Sequence, residues 1–199
     1  MHVPAHGARA ARGFGRTELL LIAGALVFLS LMVLALYVTG KRRSGGLNEA
    51  AHPFDLATLE GGRVSLEQLE GQVVLVHFWA TWCPPCVEEA PALEAMAQRM
   101  RGQPFTLVAI SVDDDLDIVR RFFRGKLPAY VVALNPDASV ARRYGTYKYP
   151  ESYLISPTGR LAKRYVGAQD WSDPATAAAI RALMPAPAQS DSQAPAAGS

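Results

Sequence analysis

The 199 residues carry 20 Lys and Arg against 18 Asp and Glu, a formal net charge of +2 with the histidines neutral. So small an excess, much of it beside an apolar segment, argues against nucleic acid and leaves proteins as the expected partners. Half of the residues are hydrophobic, and with two short non-globular ends there is room for one domain with a real core.

From Leu19 to Val38 no charged residue occurs and Leu, Ala, Val and Ile dominate. As a helix this run is long enough to cross the hydrocarbon of a bilayer. A buried globular helix is rarely apolar on every side, so residues 19–38 read as an anchor in the lipid bilayer and 1–18 as a short amino-terminal tail. The run exceeds the h-region of a cleavable signal, and no A-x-A-like site follows it; Val38-Thr39-Gly40 before Lys41 is a poor imitation. The expectation is a retained anchor. Arg9, Arg12 and Arg16 precede it and Lys41, Arg42 and Arg43 follow, so the positive-inside count is nearly a tie. Residues 39–49 form a linker, with Ser44-Gly45-Gly46 as its flexible hinge.

Phe54 to Leu59 alternates like a half-buried strand, and Glu60-Gly61-Gly62-Arg63 is a turn of hairpin type. Ser65 with Gln68 three residues on matches a capping box for a short helix through Leu66 and Leu69, ended by Gly71. Val73 to Trp79 is apolar except for His77 and predicts a central strand covered on both faces. The helix after it is expected to bury Val87, Ala90, Leu93, Ala97 and Met100 and to be kinked by Pro91, with Glu88, Glu94, Gln98 and Arg99 outside. Phe105 to Val112 is a second strand, and Asp113-Asp114-Asp115 leads a helix from about Leu116 to Arg124 whose first turn carries the carboxylates. Tyr130 to Leu134 is a third parallel strand, followed by a turn at Asn135-Pro136-Asp137 and a short helix ending near Gly145. Glu151 to Ser156 and Leu161 to Val166 predict an antiparallel hairpin. Asp170 to Ser172 is expected to cap a last helix running to Met184, and residues 185–199, rich in Pro, Ala, Ser and Gln, are expected to be disordered. Alternating strands and helices that end in a hairpin and helix predict an α/β domain of three layers with a mixed central sheet.

Both cysteines lie in Trp82-Cys83-Pro84-Pro85-Cys86, at the junction of the central strand and its helix. A thiolate at the helix start is stabilised by unpaired backbone N–H groups, which makes Cys83 the expected nucleophile. Cys86, one turn on, is placed to resolve a mixed disulfide. Pro84 and Pro85 suit the first turn, where a missing N–H costs little. Half of a zinc site is the competing reading of a lone C-x-x-C, but there is no second Cys pair and no histidine at finger spacing. A purely structural disulfide across two residues would constrain almost nothing in the unfolded chain. No metal and no organic cofactor is expected.

Polar residues stand where the pattern calls for apolar ones. His77 is either a hydrogen-bonded core histidine or a proton-transfer group. Glu88 reads equally as helix surface, whereas Glu89 shares the face of Cys86 and is the better acceptor for that thiol's proton.

The stretch Val74 to Pro91, Tyr149-Pro150-Glu151-Ser152-Tyr153-Leu154-Ile155 and Gly159-Arg160 together resemble the thioredoxin-like family of membrane-tethered thiol:disulfide oxidoreductases, in the branch with the cytochrome c maturation reductases. The resemblance covers about Ala50 to Met184, so 50–184 is expected to be a thioredoxin-like domain. It implies that Pro150 is cis and lies beside the redox pair, that Pro91 is the family's helix-kinking proline, and that Glu89 is a functional carboxylate. Trp82, Pro84, Pro85, His77 and Tyr149 are then supporting residues. His77 stands where ordinary thioredoxins have a buried acid, and Lys148-Tyr149 is bulkier and more basic than the family's usual residues before the proline.

The resulting expectation is a single-pass protein of the inner (cell) membrane, its catalytic domain on the periplasmic or extracytoplasmic side. There it would reduce disulfides of protein substrates, apocytochrome c among them, and be re-reduced by a membrane thiol donor. The alternative is a copper-binding or metal-delivery module, since soft thiolates select Cu(I). His77 and Met96 form no obvious ligand set with the cysteines. A peroxidase would need a single peroxidatic cysteine in its own activating loop, and both thiols here are committed to one pair.

Overall fold

The structure, a computed structural model, describes residues 15–41 and 47–186. Most of the amino-terminal tail, the hinge Ser44-Gly45-Gly46 and the end of the chain from residue 187 lie outside the described residues. The chain divides into two units, one running to Arg43 and the other from Ser44.

The first unit is helix α1, Arg16–Lys41. Its side chains from Leu20 to Ala35 are exposed, among them Leu20, Leu21, Leu26 and Phe28. Ser30 returns its hydroxyl to the Val27 carbonyl at 2.9 Å, which leaves no bare polar hydrogen on that apolar surface. Among the described residues no helix is long and apolar enough to cross a membrane.

The second unit is built on a five-stranded mixed sheet. Strands β3 (Val73–Trp79), β4 (Phe105–Ser111) and β5 (Val131–Leu134) are parallel, while β6 (Glu151–Ile155) and β7 (Leu161–Val166) form the antiparallel hairpin, in the order β5-β4-β3-β6-β7. Every residue of β3 is buried, as its unbroken apolar run requires of a strand covered on both faces. The faces are distinguishable by parity: His77 and Trp79 point one way, toward α2 (Pro84–Arg99) and α3 (Leu116–Phe122), and Phe78 points the other, against Tyr144 behind α4 (Ser139–Arg143). A small hairpin, β1 (Asp55–Ala57) with β2 (Arg63–Ser65), reaches the β5 edge through the Thr58–Ala133 bridge. The capping box after it forms reciprocally: Ser65 N–H donates to Gln68 Oε1 at 3.1 Å and Gln68 N–H to Ser65 Oγ at 3.3 Å, ahead of a single 3₁₀ turn at Glu67–Leu69. Gly71 follows with φ +82°, a conformation that L side chains rarely adopt.

Three sequence expectations are corrected. The inner face of α2 carries Cys86, Glu89, Leu93, Met96 and Ala97, with Met100 buried just beyond; Val87 is exposed and Ala90 only half-buried. The face was misjudged because it contains a carboxylate. Asp113 lies outside the first turn of α3, which Asp115 caps by accepting from Ile118 N–H at 2.8 Å. Asp173 rather than Asp170 to Ser172 caps α5 (Pro174–Arg181), because Pro174 is its first residue and the preceding side chain accepts from Ala175 N–H. Pro91 lies inside α2, which runs through it from Pro84 to Arg99.

Candidate active site

Cys83 is the N-cap of α2, with φ −100° and ψ 102°, and Pro84 and Pro85 fill the first two helical positions. The Cys83 carbonyl accepts from both Cys86 N–H and Val87 N–H at 3.1 Å. The turn so closed sets the two Cα atoms 5.3 Å apart, and the sulfurs are joined as a disulfide. Both cysteines are buried, whereas Pro84, Pro85 and Trp82 are exposed, Trp82 to 64%. The Trp82 ring meets Tyr149 edge-on at 6.0 Å. The Tyr149–Pro150 peptide is cis, and the Trp82–Tyr149 contact brings its loop to the cysteine motif. Pro150 is buried and accepts from Gly167 N–H at 3.0 Å.

Glu89 lies one turn beyond Cys86 on the buried face of α2 and is only 6% exposed. Its Oε2 accepts from the Trp171 indole N–H at 2.7 Å and from Gln169 N–H at 3.0 Å. Its Oε1 has no hydrogen-bond partner, and His77 Nε2 stands 3.6 Å from it. Burial pushes the Glu89 carboxyl upward, and the two donors on Oε2 work against that rise. His77, fully enclosed, is pushed down to about 3 by desolvation of its charged form, so the ring is neutral at physiological pH. Its Nδ1 is 2.8 Å from Ser152 Oγ. Ser152 lies directly across from His77 in the antiparallel β3–β6 pair, so both side chains share a face.

Of the residues singled out in sequence, the structure joins Cys83 and Cys86 in a disulfide flanked along the chain by Trp82, Pro84 and Pro85, brings Tyr149, next to Pro150, against Trp82, and sets Glu89 and His77 against each other. Glu88 is exposed. Four residues were missed. Ser152 lay within the recognised strand but showed no polar partner in sequence; Gln169 and Trp171 come from the loop after β7, eighty residues beyond Glu89. Asp113 was read as a helix-start carboxylate, yet it is buried and accepts from Thr81 N–H at 3.0 Å, Thr81 Oγ–H at 2.7 Å and Ser111 Oγ–H at 2.6 Å. It ties the loop leading to Cys83 to the end of β4. A polar pair Ser111-x-Asp113 closing an apolar strand was the available signal.

A reversible two-electron bond at the start of a helix, next to a central strand and against a cis-proline loop, defines a thioredoxin-like dithiol:disulfide site. The same class emerges from comparison with known proteins. The model of the AhpC/TSA family matches residues 47–164, and the chain belongs to that family. The thiol-disulfide oxidoreductase ResA of Bacillus thuringiensis (strain Al Hakam) is 27% identical over 123 residues, 62% of this chain and 71% of that protein. The thioredoxin-like protein YneN of Bacillus subtilis (strain 168) is 31% identical over 137 residues, 66% of this chain and 79% of its own. A thiol:disulfide interchange protein of the thioredoxin family from Chlorobium tepidum TLS superposes with a TM-score of 0.60 at 26% identity, over 69% of this chain and 97% of that one. The protein is a thiol:disulfide oxidoreductase.

Proposed function

We propose that this oxidoreductase is held in the cell membrane by α1 and reduces disulfides of protein substrates outside the cytoplasm, apocytochrome c among them. The observation that carries the reading is the Cys83–Cys86 disulfide with Cys83 at the N-cap of α2, where a thiolate gains from the unpaired N–H groups of the first turn. The Cys83 thiolate attacks one sulfur of the substrate disulfide, forming a mixed disulfide and expelling the other sulfur as a thiolate. Cys86, its proton passed to Glu89, then attacks Cys83 Sγ and frees the second substrate thiol. The chain is left with its internal disulfide, oxidised by two electrons, and a membrane thiol donor restores both thiols. Trp82 and Tyr149, exposed and half-buried beside the pair, supply the surface on which a substrate segment rests.

Support for the anchor comes from the uncharged run Leu19 to Val38 and the exposed apolar side chains of α1. ResA is named for thiol-disulfide oxidoreduction, and the proposed setting in cytochrome c maturation follows from the resemblance to that branch. Copper handling would rest on the two thiolates, since among the described residues no three His, Cys, Asp or Glu side chains converge as a metal site. The test is single-turnover reduction of insulin by the reduced protein. The parent and Glu89→Gln should both form the mixed disulfide, with release slowed in the variant by up to about 10²–10⁴-fold. No reduction of any protein disulfide, together with retention of Cu(I) against a competing chelator, would replace this reading with the copper one.

A further inference from the structure

The two oxygens of Glu89 are unequally treated. Oε2 receives two N–H donors. Oε1, equally buried, receives none, and the atom facing it is His77 Nε2 at 3.6 Å. At that separation the contact is electrostatic rather than a hydrogen bond, so its sign depends on whether Nε2 carries the ring proton. A neutral imidazole has one N–H and one bare nitrogen, and the bond made by the other nitrogen fixes which is which.

We infer that Ser152 and His77 form a directed donor chain onto Glu89, in which the ring proton of His77 lies on Nε2, pointed at Glu89 Oε1, and the Ser152 hydroxyl donates to the bare Nδ1. The hydroxyl can rotate to donate or accept, so it imposes no choice of its own. The carboxylate decides: with Nε2 bare, its lone pair would face a buried anionic oxygen that has no other partner. No bond is made or broken in the chain. Ser152 and His77 are positioning residues that favour the ionised form of Glu89 against the desolvation that opposes it.

This inference rests on the reading of Glu89 as acceptor of the Cys86 proton. The other groups facing the carboxylate leave the assignment to His77. On α2 these are Cys86 and Arg99, whose Nη2 donates to the Trp171 carbonyl at 3.2 Å. From the loop after β7 come Gln169 and Trp171. Tyr165 of β7 packs its ring 5.4 Å from Trp171 and has its own hydroxyl buried without a partner. Lys163 lies over the Tyr165 ring at 4.6 Å. None of these cations reaches Oε1.

Nitrogen NMR of histidine-labelled full-length protein, with His77→Phe to assign the signals, reads the tautomer directly. The expected result is protonated Nε2 and bare Nδ1 at neutral pH, with that bias kept in Ser152→Ala, where the carboxylate still faces Nε2, and weakened in Glu89→Gln, whose amide carries no charge. A ring protonated on Nδ1 in the parent overturns the inference. In single-turnover release from the mixed disulfide, His77→Phe should move the acid limb of the rate profile to higher pH. Below the midpoint the rate should fall by at most about tenfold, the lower end of what a hydrogen bond to a charged group is worth. His77→Gln, which keeps an N–H donor, should restore part of the loss. A profile that His77→Phe leaves unchanged also overturns it. The tautomer is observed without turnover, so a null result for Glu89→Gln would refute the acid–base role of Glu89 while the NMR still judges the chain.

Discussion

His77 and Glu89 respond to burial with opposite signs, and that difference shapes how stability depends on pH. His77 falls from 6.5 to about 3 in the folded protein. The unfolded chain therefore binds the extra proton first, and the stability that a neutral His77 contributes is whole above about pH 6.5 and lost as pH falls toward 3. Glu89 is raised above its ordinary 4.5, so its contribution is whole below that value and lost as pH rises through the folded value. Thermal unfolding followed between pH 3 and 7 should show the parent losing stability on the acid side and His77→Leu losing distinctly less. An identical acid limb in the two proteins would mean that the imidazole is charged or hydrated in the folded state. In sequence, Glu89 was legible because it lies three residues from Cys86. The pairing with Ser152 and Trp171 was not, because strand register and a distant loop bring them together and neither leaves a local pattern.

At the scale of elements, the capping box, the buried central strand and the β6–β7 hairpin could all be read, since each depends on residues a few positions apart. The inner face of α2 could not. Helical periodicity locates a face by assuming that charge lies outside, and here Glu89 lies inside, satisfied by donors from beyond β7. The same assumption hid Asp113. Its bonds to Thr81 and Ser111 join the turn before Cys83 to the end of β4, so it holds the start of α2 in place although it touches neither sulfur. Asp113→Ala leaves the Thr81 amide and two hydroxyls without their acceptor. The expected cost is about 2–3 kcal/mol in denaturant unfolding, with the midpoint of Cys83 alkylation against pH in the reduced protein moved upward. Asp113→Asn retains an acceptor and should cost less. A variant Asp113→Ala as stable as the parent would show that the loop is held by other contacts.

The whole molecule consists of two units whose sequences already differ in kind: an apolar helix and a mixed α/β sheet domain. The domain's class and the position of its redox pair were legible because one motif falls at one strand-to-helix junction. The order of its strands was not, since β6 pairs with β3 across seventy residues of chain. For the membrane assignment, carbonate extraction of cells expressing the full chain should leave it in the pellet, and a form beginning near residue 47 should be released. Recovery of the full chain in the supernatant would refute the anchor. The central claim, that Cys83 attacks and Cys86 resolves, is tested most directly by trapping. With Cys86→Ser, incubation with a disulfide-bonded protein substrate should accumulate a covalent complex in which peptide mapping finds Cys83 joined to the substrate, and Cys83→Ser should accumulate none. A complex formed through Cys86 in the Cys83→Ser protein, with none in Cys86→Ser, would contradict the account.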